Sequence, residues 1–559
     1  MIGAYSADQV RAAERPALTA GMGAELMYRA AFGLAVKVLG ELRARRGRVS
    51  GTRVAALVGK GNNGGDGLWA LALLARHGVA VTAVLVDAAA HAEGLRAVEA
   101  AGGQVLRLAP SETDDDGGPG TASSLAGVRE QCLRADILID AILGTGARGG
   151  LRGGAAELVE FLVQDQDQDQ ESVRGGLRAL DRGGIPQEGR RRTRARGTAV
   201  GLDSRFPLVV ACDVPSGVDA STGEQNGPVL RAGLTVTFAA AKAGLLLPPG
   251  AAFAGRVETV PLGVEDDLRV PVARRLEADD LSRLLPRPSA AGHKYTRGVL
   301  GVVAGSEEYP GAAILACSGA LSAGAGMVRF FGPASVAAVV NAALPEVVCH
   351  SGPELQGRVQ AWVLGPGVSG EGQPDRCRQA LGLGQPAVVD AGALDLIGQS
   401  TEEHPEVILT PHAGELARLL TRLGVERERA DVESRAQASL LEAVRLTGRT
   451  ILLKGPHTLC CEPGGTLYSQ ADGTPWLATA GSGDVLAGAL GALLAQGGGA
   501  PSSGTGTPAD GGWAATAALA AAVHGRAGRI ASGEAAGGAG RPITARDVAR
   551  AVRLVWDAP

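Results

Sequence analysis

The chain has 559 residues, which at roughly 100–200 residues per domain predicts several domains or two large α/β ones. Glycine is abundant, 84 residues or about twice the usual share. No three-residue period supports collagen, and a hydrophobic content of 45% excludes general disorder. With 54 Lys and Arg against 58 Asp and Glu, the formal charge is −4, leaving no basic excess to draw the whole chain onto nucleic acid or anionic lipid. The 7 cysteines are scattered without C-x-x-C spacing, against a disulfide framework or a zinc site. The N-terminal MIGAYSADQV lacks a signal pattern, and no apolar run reaches the ~18 residues of a membrane span. A soluble, cytoplasmic protein without nucleic-acid or membrane partners is expected.

In chain order, β-branched or apolar runs occur at 54–58, 79–86, 137–142 and 208–212, then at 299–304, 362–364, 387–389, 407–409 and 451–454. Each is followed by a glycine-containing loop and an Ala- and Leu-rich helical pattern. This alternation predicts parallel sheets covered by helices on both faces, with ligands beyond the carboxyl ends of the strands. The charged, Pro-containing stretch VEDDLRVPVARR at 264–275 separates an expected domain 1–265 from a domain 276–559. Polar segments at 111–125 and 164–206, the latter running from QDQDQDQ to RRRTRAR, are expected as mobile surface inserts, as is GGGAPSSGTGTPADGG near residue 500.

After the run 54–58 comes GKGNNGGDG, with a helix expected to start near Leu68. Glycines let backbone amides approach a phosphate at a helix N-terminus, and Asn62, Asn63, Gly64, Gly65 and Asp66 add groups for sugar hydroxyls or a cation. The run ILIDAILGTGARGG places Asp140 inside a strand, followed by a second turn, Gly144, Thr145, Gly146, Ala147, Arg148, Gly149 and Gly150. VVACDVPSG places Asp213 at a strand end, with Ser216 three residues on. A buried strand carboxylate needs a cation or strong donors. Asn63, Asp140 and Ser216 are hard oxygen ligands suited to an alkali or alkaline-earth ion.

The set NNGGDG, D-A-x-x-G-T-G and D-V-P-S-G is similar to the NAD(P)H-hydrate epimerase family over about residues 5–262, although GAELMYRAA stands where the family carries an LMENAG-type helix. The resemblance implies a Rossmann-like domain that interconverts the R and S forms of NADH and NADPH hydrated at C6 of the nicotinamide ring (NADHX and NADPHX). It also implies substrate contacts from 62–66 and 144–150, Asp213 as substrate-binding acid/base, and K+ on Asn63, Asp140 and Ser216. Epimerising C6 needs a group that exchanges a proton with oxygen; Asp213 is the candidate, and spacing alone leaves Asp219, Lys242 and Asp66 open.

In the second half, ATAGSGDVLAGALGALLAQ joins a small-residue turn to an apolar helix opened by Asp484. Bare amides beside a carboxylate suit phosphoryl transfer to a hydroxyl. LLKGPHT puts Lys454 and Thr458 at a strand end, TPHAGE puts His412 before a helix, LGPGV offers Gly367, and YPGAAILACSGA offers Ala312. Together KGPHT, TPHAGE, LGPG and GSGD resemble the ribokinase-like NAD(P)H-hydrate dehydratase family from about residue 276 onward. By that resemblance Ala312, Gly367, His412 and catalytic Asp484 contact the S-hydrate, and Lys454, Gly455, Pro456, His457, Thr458 and Gly483 contact ADP with Mg2+. A homo-oligomer is expected. The competing readings are a small-molecule kinase for a sugar or vitamin alcohol in the second half and a nucleotide-binding scaffold in the first.

Overall fold

Residues 1–108, 123–147, 149–180, 206–398, 406–497 and 512–557 are described by the computed structural model, 173–180 by their main chain alone. The chain divides into two compact units, Ala4–Val270 and Met1–Gly3 with Pro271–Pro559.

In the unit Ala4–Val270, seven strands lie in the order Gln104–Arg107, Ala80–Leu85, Arg53–Val58, Ile137–Ala141, Leu208–Cys212, Leu234–Phe238 and Arg256–Val260. Every pairing is parallel. Period-two alternation sends Val54, Ala56 and Val58 into one core with Leu34, Val38 and Leu42 of helix Gly23–Arg46 and Leu68 and Leu71 of helix Asn62–Arg76. Ala55 and Leu57 enter the other, with Val128 of helix Leu125–Leu133 and Leu158 and Leu162 of helix Gly153–Leu180. The result is a Rossmann-like three-layer fold, each buried Leu or Val contributing about 1.5–3 kcal/mol.

The expected insert 164–206 is helical in its first part, because helix Gly153–Leu180 runs through QDQDQDQ. Tertiary polar contacts explain this. Gln166 donates to the Arg231 carbonyl at 2.9 Å and accepts from the Arg231 amide at 3.0 Å, while Arg129 grips Asp165 with two nitrogens. Most of the expected insert 111–125, all of 181–205 and the stretch near residue 500 lie outside the described residues.

The C-terminal unit is an α/β fold built on one mostly parallel sheet. Its sheet runs Val348–His350, Met327–Phe331, Val299–Val303, Ala361–Leu364, Ala387–Val389, Val407–Leu409 and Thr450–Leu453 in parallel. An antiparallel hairpin, Thr458–Cys461 and Leu467–Gln470, then extends it. Leu300, Val302, Val363 and Ile408 pack under helices Pro310–Ser322, Ser482–Ala495 and Trp513–Ser532. Their strand neighbours Val299, Val303, Leu364 and Leu409 are equally buried, so both faces are covered.

Candidate active sites

In the N-terminal unit the polar residues gather beyond the carboxyl ends of Arg53–Val58, Ile137–Ala141 and Leu208–Cys212. Helix Asn62–Arg76 begins directly after Gly61, so NNGGD is its opening rather than a loop before a helix near Leu68. Packing is the reason. A Cβ on Gly64 would lie 1.9 Å from the Gly59 carbonyl oxygen, and one on Gly67 2.7 Å from the Ala141 Cβ. Only glycines let this helix start against the strand ends. No side chain caps its N-terminus, which leaves its first amides and positive dipole end for an anion.

Asn63 donates through Nδ2 to the Leu143 carbonyl at 3.0 Å, and its buried Oδ1 has no hydrogen-bond partner among the described residues. Asp140 accepts from the Ser216 hydroxyl at 2.5 Å and the Ser216 amide at 2.8 Å. Burial pushes the Asp140 carboxyl above the usual range against those bonds. Ser216 Oγ also accepts from the Leu143 amide at 2.9 Å, so Asn63, Asp140 and Ser216 meet around the Leu143 backbone.

Asp213 adopts φ +68°, a conformation costing on the order of 1–3 kcal/mol for a side-chain-bearing residue. Its Oδ1 accepts from Lys242 Nζ at 2.6 Å, and its Oδ2 from the Thr145 amide at 3.0 Å and the Thr145 hydroxyl. Burial pushes its carboxyl up, but the Lys242 charge and these bonds outweigh it and hold the group below the usual carboxylate range. Buried Asp66 goes the other way: burial, then the negative charges of Asp213 and Glu14, push it well above that range. Asp219 is occupied in a turn, accepting from the Ser221 and Thr222 amides at 2.9 and 2.8 Å.

The second turn separates its glycines by task. The Ala147 amide donates to the Gly144 carbonyl at 2.9 Å, and Gly144 packs on Asn63. Gly146 faces open space, Gly149 has φ +82°, and a Cβ on Gly150 would lie 2.0 Å from the Asn226 carbonyl oxygen. Gly150 is therefore needed for packing. Arg148 lies outside the described residues.

In the C-terminal unit Lys454 follows strand Thr450–Leu453, and its Nζ donates to Asp390 Oδ1 at 2.7 Å and lies 3.7 Å from Glu415 Oε2. Burial lowers the Lys454 pKa, but Asp390, Glu415 and Asp484 reverse the shift and raise it. Asp484 sits in the first turn of helix Ser482–Ala495, whose N-cap, Gly481, has φ +85°. Burial, then the Asp390 charge, push its carboxyl up to about 7 against the pull of Lys454. A Cβ on Gly483 would lie 3.7 Å from Lys454 Nζ, and one on Gly367 2.5 Å from the Ala312 Cβ, so both expected pairs are brought together.

His412 caps helix Ala413–Arg422. Its Nδ1 accepts from the Gly414 and Glu415 amides at 3.1 and 3.3 Å, and Glu415 returns a bond to the His412 amide at 2.8 Å. Its half-exposed ring keeps Nε2 3.5 Å from Glu415 Oε1. Gly455 and Pro456 are exposed, Thr458 donates to the Gly455 carbonyl at 3.3 Å, and burial pushes the His457 imidazole down to about 4. No motif points to Asp390 or Glu14, and Glu415 stands in the sequence only as the last residue of TPHAGE, an H-x-x-E pair with no further ligand. The signal for Asp390 was present, since VVD at 388–390 repeats the strand-end aspartate of ACD at 211–213.

A family model described as NAD(P)H-hydrate dehydratase matches residues 300–545, and one described as YjeF-related protein N-terminus matches 23–175 and 184–244. The chain is 38% identical over 509 residues to a bifunctional NAD(P)H-hydrate repair enzyme, Nnr, of Mycobacterium tuberculosis, covering 88% of this chain and 89% of that one. A protein of the same description from Moorella thermoacetica is 32% identical, with 81% and 80% covered. A solved ADP/ATP-dependent NAD(P)H-hydrate dehydratase from Bacillus subtilis, co-crystallised with ATP and Mg2+, is 26% identical and covers 50% of this chain and 96% of that one at a TM-score of 0.43. With sequence similarity running through both units and both family models matched in order, the chain belongs to the family of bifunctional NAD(P)H-hydrate repair enzymes.

Proposed function

We propose that this chain repairs hydrated NADH and NADPH. The unit Ala4–Val270 epimerises the R and S C6-hydrates, and the C-terminal unit dehydrates the S form back to NAD(P)H at the expense of ADP. The observation that carries the reading is a pair of carboxylates pushed in opposite directions at the strand ends of one sheet, Asp213 down and Asp66 up. Such divergence keeps Asp213 ionised, and so able to act as a base, in a site whose buried surroundings favour neutral carboxyls.

At the first site, the uncapped amides of helix Asn62–Arg76 and the turn 144–150 hold the nucleotide. Asp213 exchanges a proton with the C6 oxygen while Lys242 and Thr145 fix its position. The orphaned Asn63 Oδ1 beside Asp140 and Ser216 fits K+, a cation with oxygen ligands. Potassium there would neutralise Asp140 and order the Leu143 backbone that leads into the second turn.

At the second site, Asp484 accepts the proton of the C6 hydroxyl as the phosphoryl group is transferred, and the amides opening helix Ser482–Ala495 meet the charge on that group. Lys454 pairs with nucleotide phosphate. Asp390 and Glu415, both on Lys454, are carboxylates of the kind that share a nucleotide-borne Mg2+, which would screen the phosphate charge.

The reading extends to a cytoplasmic homo-oligomer. Tyr28, Phe32 and Val36 form an exposed apolar stripe at four-residue spacing on helix Gly23–Arg46, and the cysteines are free thiols. No helix among the described residues is long and apolar enough to cross a membrane. Chromatography of mixed R and S hydrates incubated with the protein and either ADP or ATP tests both activities and the nucleotide. Disappearance of both epimers with ADP is the expected result; R-hydrate persisting while S is consumed would remove the epimerase assignment.

A further inference from the structure

Helix Ala7–Thr19, which none of the ligand motifs includes, follows directly on the strand Ile2–Tyr5 that pairs beside Lys242. Tyr5 pairs with Lys242 in parallel register. The helix follows after Ser6, whose capping box fixes its start, and the Ala7 amide donates to Ser221 Oγ at 3.0 Å. Arg11 then reaches the second ligand turn, donating through Nη1 to the Thr145 carbonyl at 3.1 Å, and the Thr145 amide in turn holds Asp213 at 3.0 Å.

Glu14 is three residues after Arg11, four after Val10 and seven after Ala7. Because Ala7, Val10 and Ala13 are the buried residues of this helix, helical periodicity places Glu14 on its inward face. The charged groups that face it are Lys242, Asp213 at the end of strand Leu208–Cys212, Arg11 on its own helix, and Asp66 on helix Asn62–Arg76. Asp66 is buried within the packing of its helix, whereas Glu14 is only partly buried, so Glu14 is the carboxyl group that keeps access to a bound ring.

We propose that Glu14 is the second proton-exchanging group of the epimerase site, acting on the C6 oxygen together with Asp213. The inference rests on the epimerase reading above. In the leaving step the acid form of Glu14 gives its proton to the C6 hydroxyl. The C6–O bond breaks with its electron pair on oxygen, the ring-nitrogen lone pair forms C=N, and water is released. Water then adds to the other face, the C=N pair returns to nitrogen, and the proton lost by that water goes to Asp213. Exchange with solvent or the reverse reaction restores both carboxyls. Burial, joined by the Asp213 charge and opposed by Lys242 and Arg11, raises the Glu14 pKa, which favours the acid form this role needs.

The test compares wild type with Glu14→Gln and Glu14→Asp in R/S interconversion across pH, with dehydration of purified S-hydrate and thermal melting measured on the same full-length proteins. Glu14→Gln is expected to lose about 100-fold in epimerisation kcat, within the usual range for general acid–base catalysis, and to lose the fall in rate on the alkaline side. Its KM should change little, its dehydration rate should match wild type, and its melting should be no lower than that of wild type. Glu14→Asp should keep part of the rate and the alkaline limb. Wild-type rate and pH profile in Glu14→Gln would overturn the proposal, as would a loss shared by both variants with an unchanged pH profile and lower melting. Absence of interconversion by wild type itself would instead remove the epimerase reading.

Discussion

Lys242 Nζ lies 2.6 Å from Asp213 Oδ1, with the lysine side chain 2% and the aspartate side chain 10% exposed. The two charges leave water together, and three further acceptors and donors, Thr145, Thr237 and the Phe238 carbonyl, complete their hydrogen bonding. Such a pair is costly to break and well suited to holding a carboxylate in one orientation.

Replacing Lys242 with Met strands a buried carboxylate, a change that typically costs about 3–5 kcal/mol. The sign of the pH dependence should also change. In wild type the Asp213 carboxyl is depressed, so its contribution is present above the unfolded value of about 4 and is lost as pH falls through the lower folded value. In Lys242→Met burial acts without the lysine and raises the folded pKa, so melting temperature should increase on acidification from pH 8 to 5. Adding Asp213→Asn should remove that pH response. Thermal melts of the three proteins at several pH values check it.

Asp484→Ala should abolish nucleotide-dependent dehydration and leave epimerisation unchanged; equal loss of both would refute the division of labour. With its carboxyl pushed up to about 7, dehydration in wild type should rise with pH through neutrality as Asp484 ionises. The same raised pKa means that stability falls as pH rises from the unfolded value of about 4 to about 7 and is level above that. Asp484→Asn should therefore melt higher than wild type at pH 7 to 8, with the difference shrinking on acidification and gone below about pH 4.

Potassium should stabilise the protein through Asn63, Asp140 and Ser216. At a concentration near ten times its dissociation constant, binding adds about 1.4 kcal/mol, or a rise of about 2–4 °C in melting temperature. Melts in KCl and in choline chloride at equal ionic strength measure it. Asp140→Asn should remove the difference, and persistence of the full shift in that variant would exclude this site.

The glycines should separate by position. Gly64→Ala forces a Cβ to 1.9 Å from a carbonyl oxygen and should cost about 1–3 kcal/mol or more through displacement of the helix start. Gly146→Ala meets nothing within 4 Å and should change stability by no more than about 0.5 kcal/mol. If turn 144–150 holds the nucleotide, the epimerase KM of Gly146→Ala should rise while its melting stays unchanged. Denaturant unfolding and epimerase kinetics distinguish the two.

Much of the architecture was legible in one dimension because parallel strands buried on both faces must be continuous apolar runs. Leu208–Cys212, Ala387–Val389 and Val407–Leu409 stand where β-branched residues crowd together. The segment QDQDQDQ carries no hydrophobic periodicity and so points to an insert; Arg129 and Arg231, distant in sequence, complete its helix. Helix Asn62–Arg76 starts earlier than its sequence suggests for a related reason. Glycine propensity argues for a loop, yet the close approach of Gly64 to Gly59 requires those glycines inside a helix.

The sequence by itself determined the α/β class, the order of the ligand loops and the strand-end aspartates, since each depends on local residue type and spacing. Only the tertiary structure decided the protonation chemistry: that Asp213 is paired with Lys242 29 residues away, that Asp66 is pushed the other way, and that Glu14 from the first helix faces both. Burial and Coulomb interaction depend on distances through space, and those distances exist only once the sheet has brought separate strand ends together.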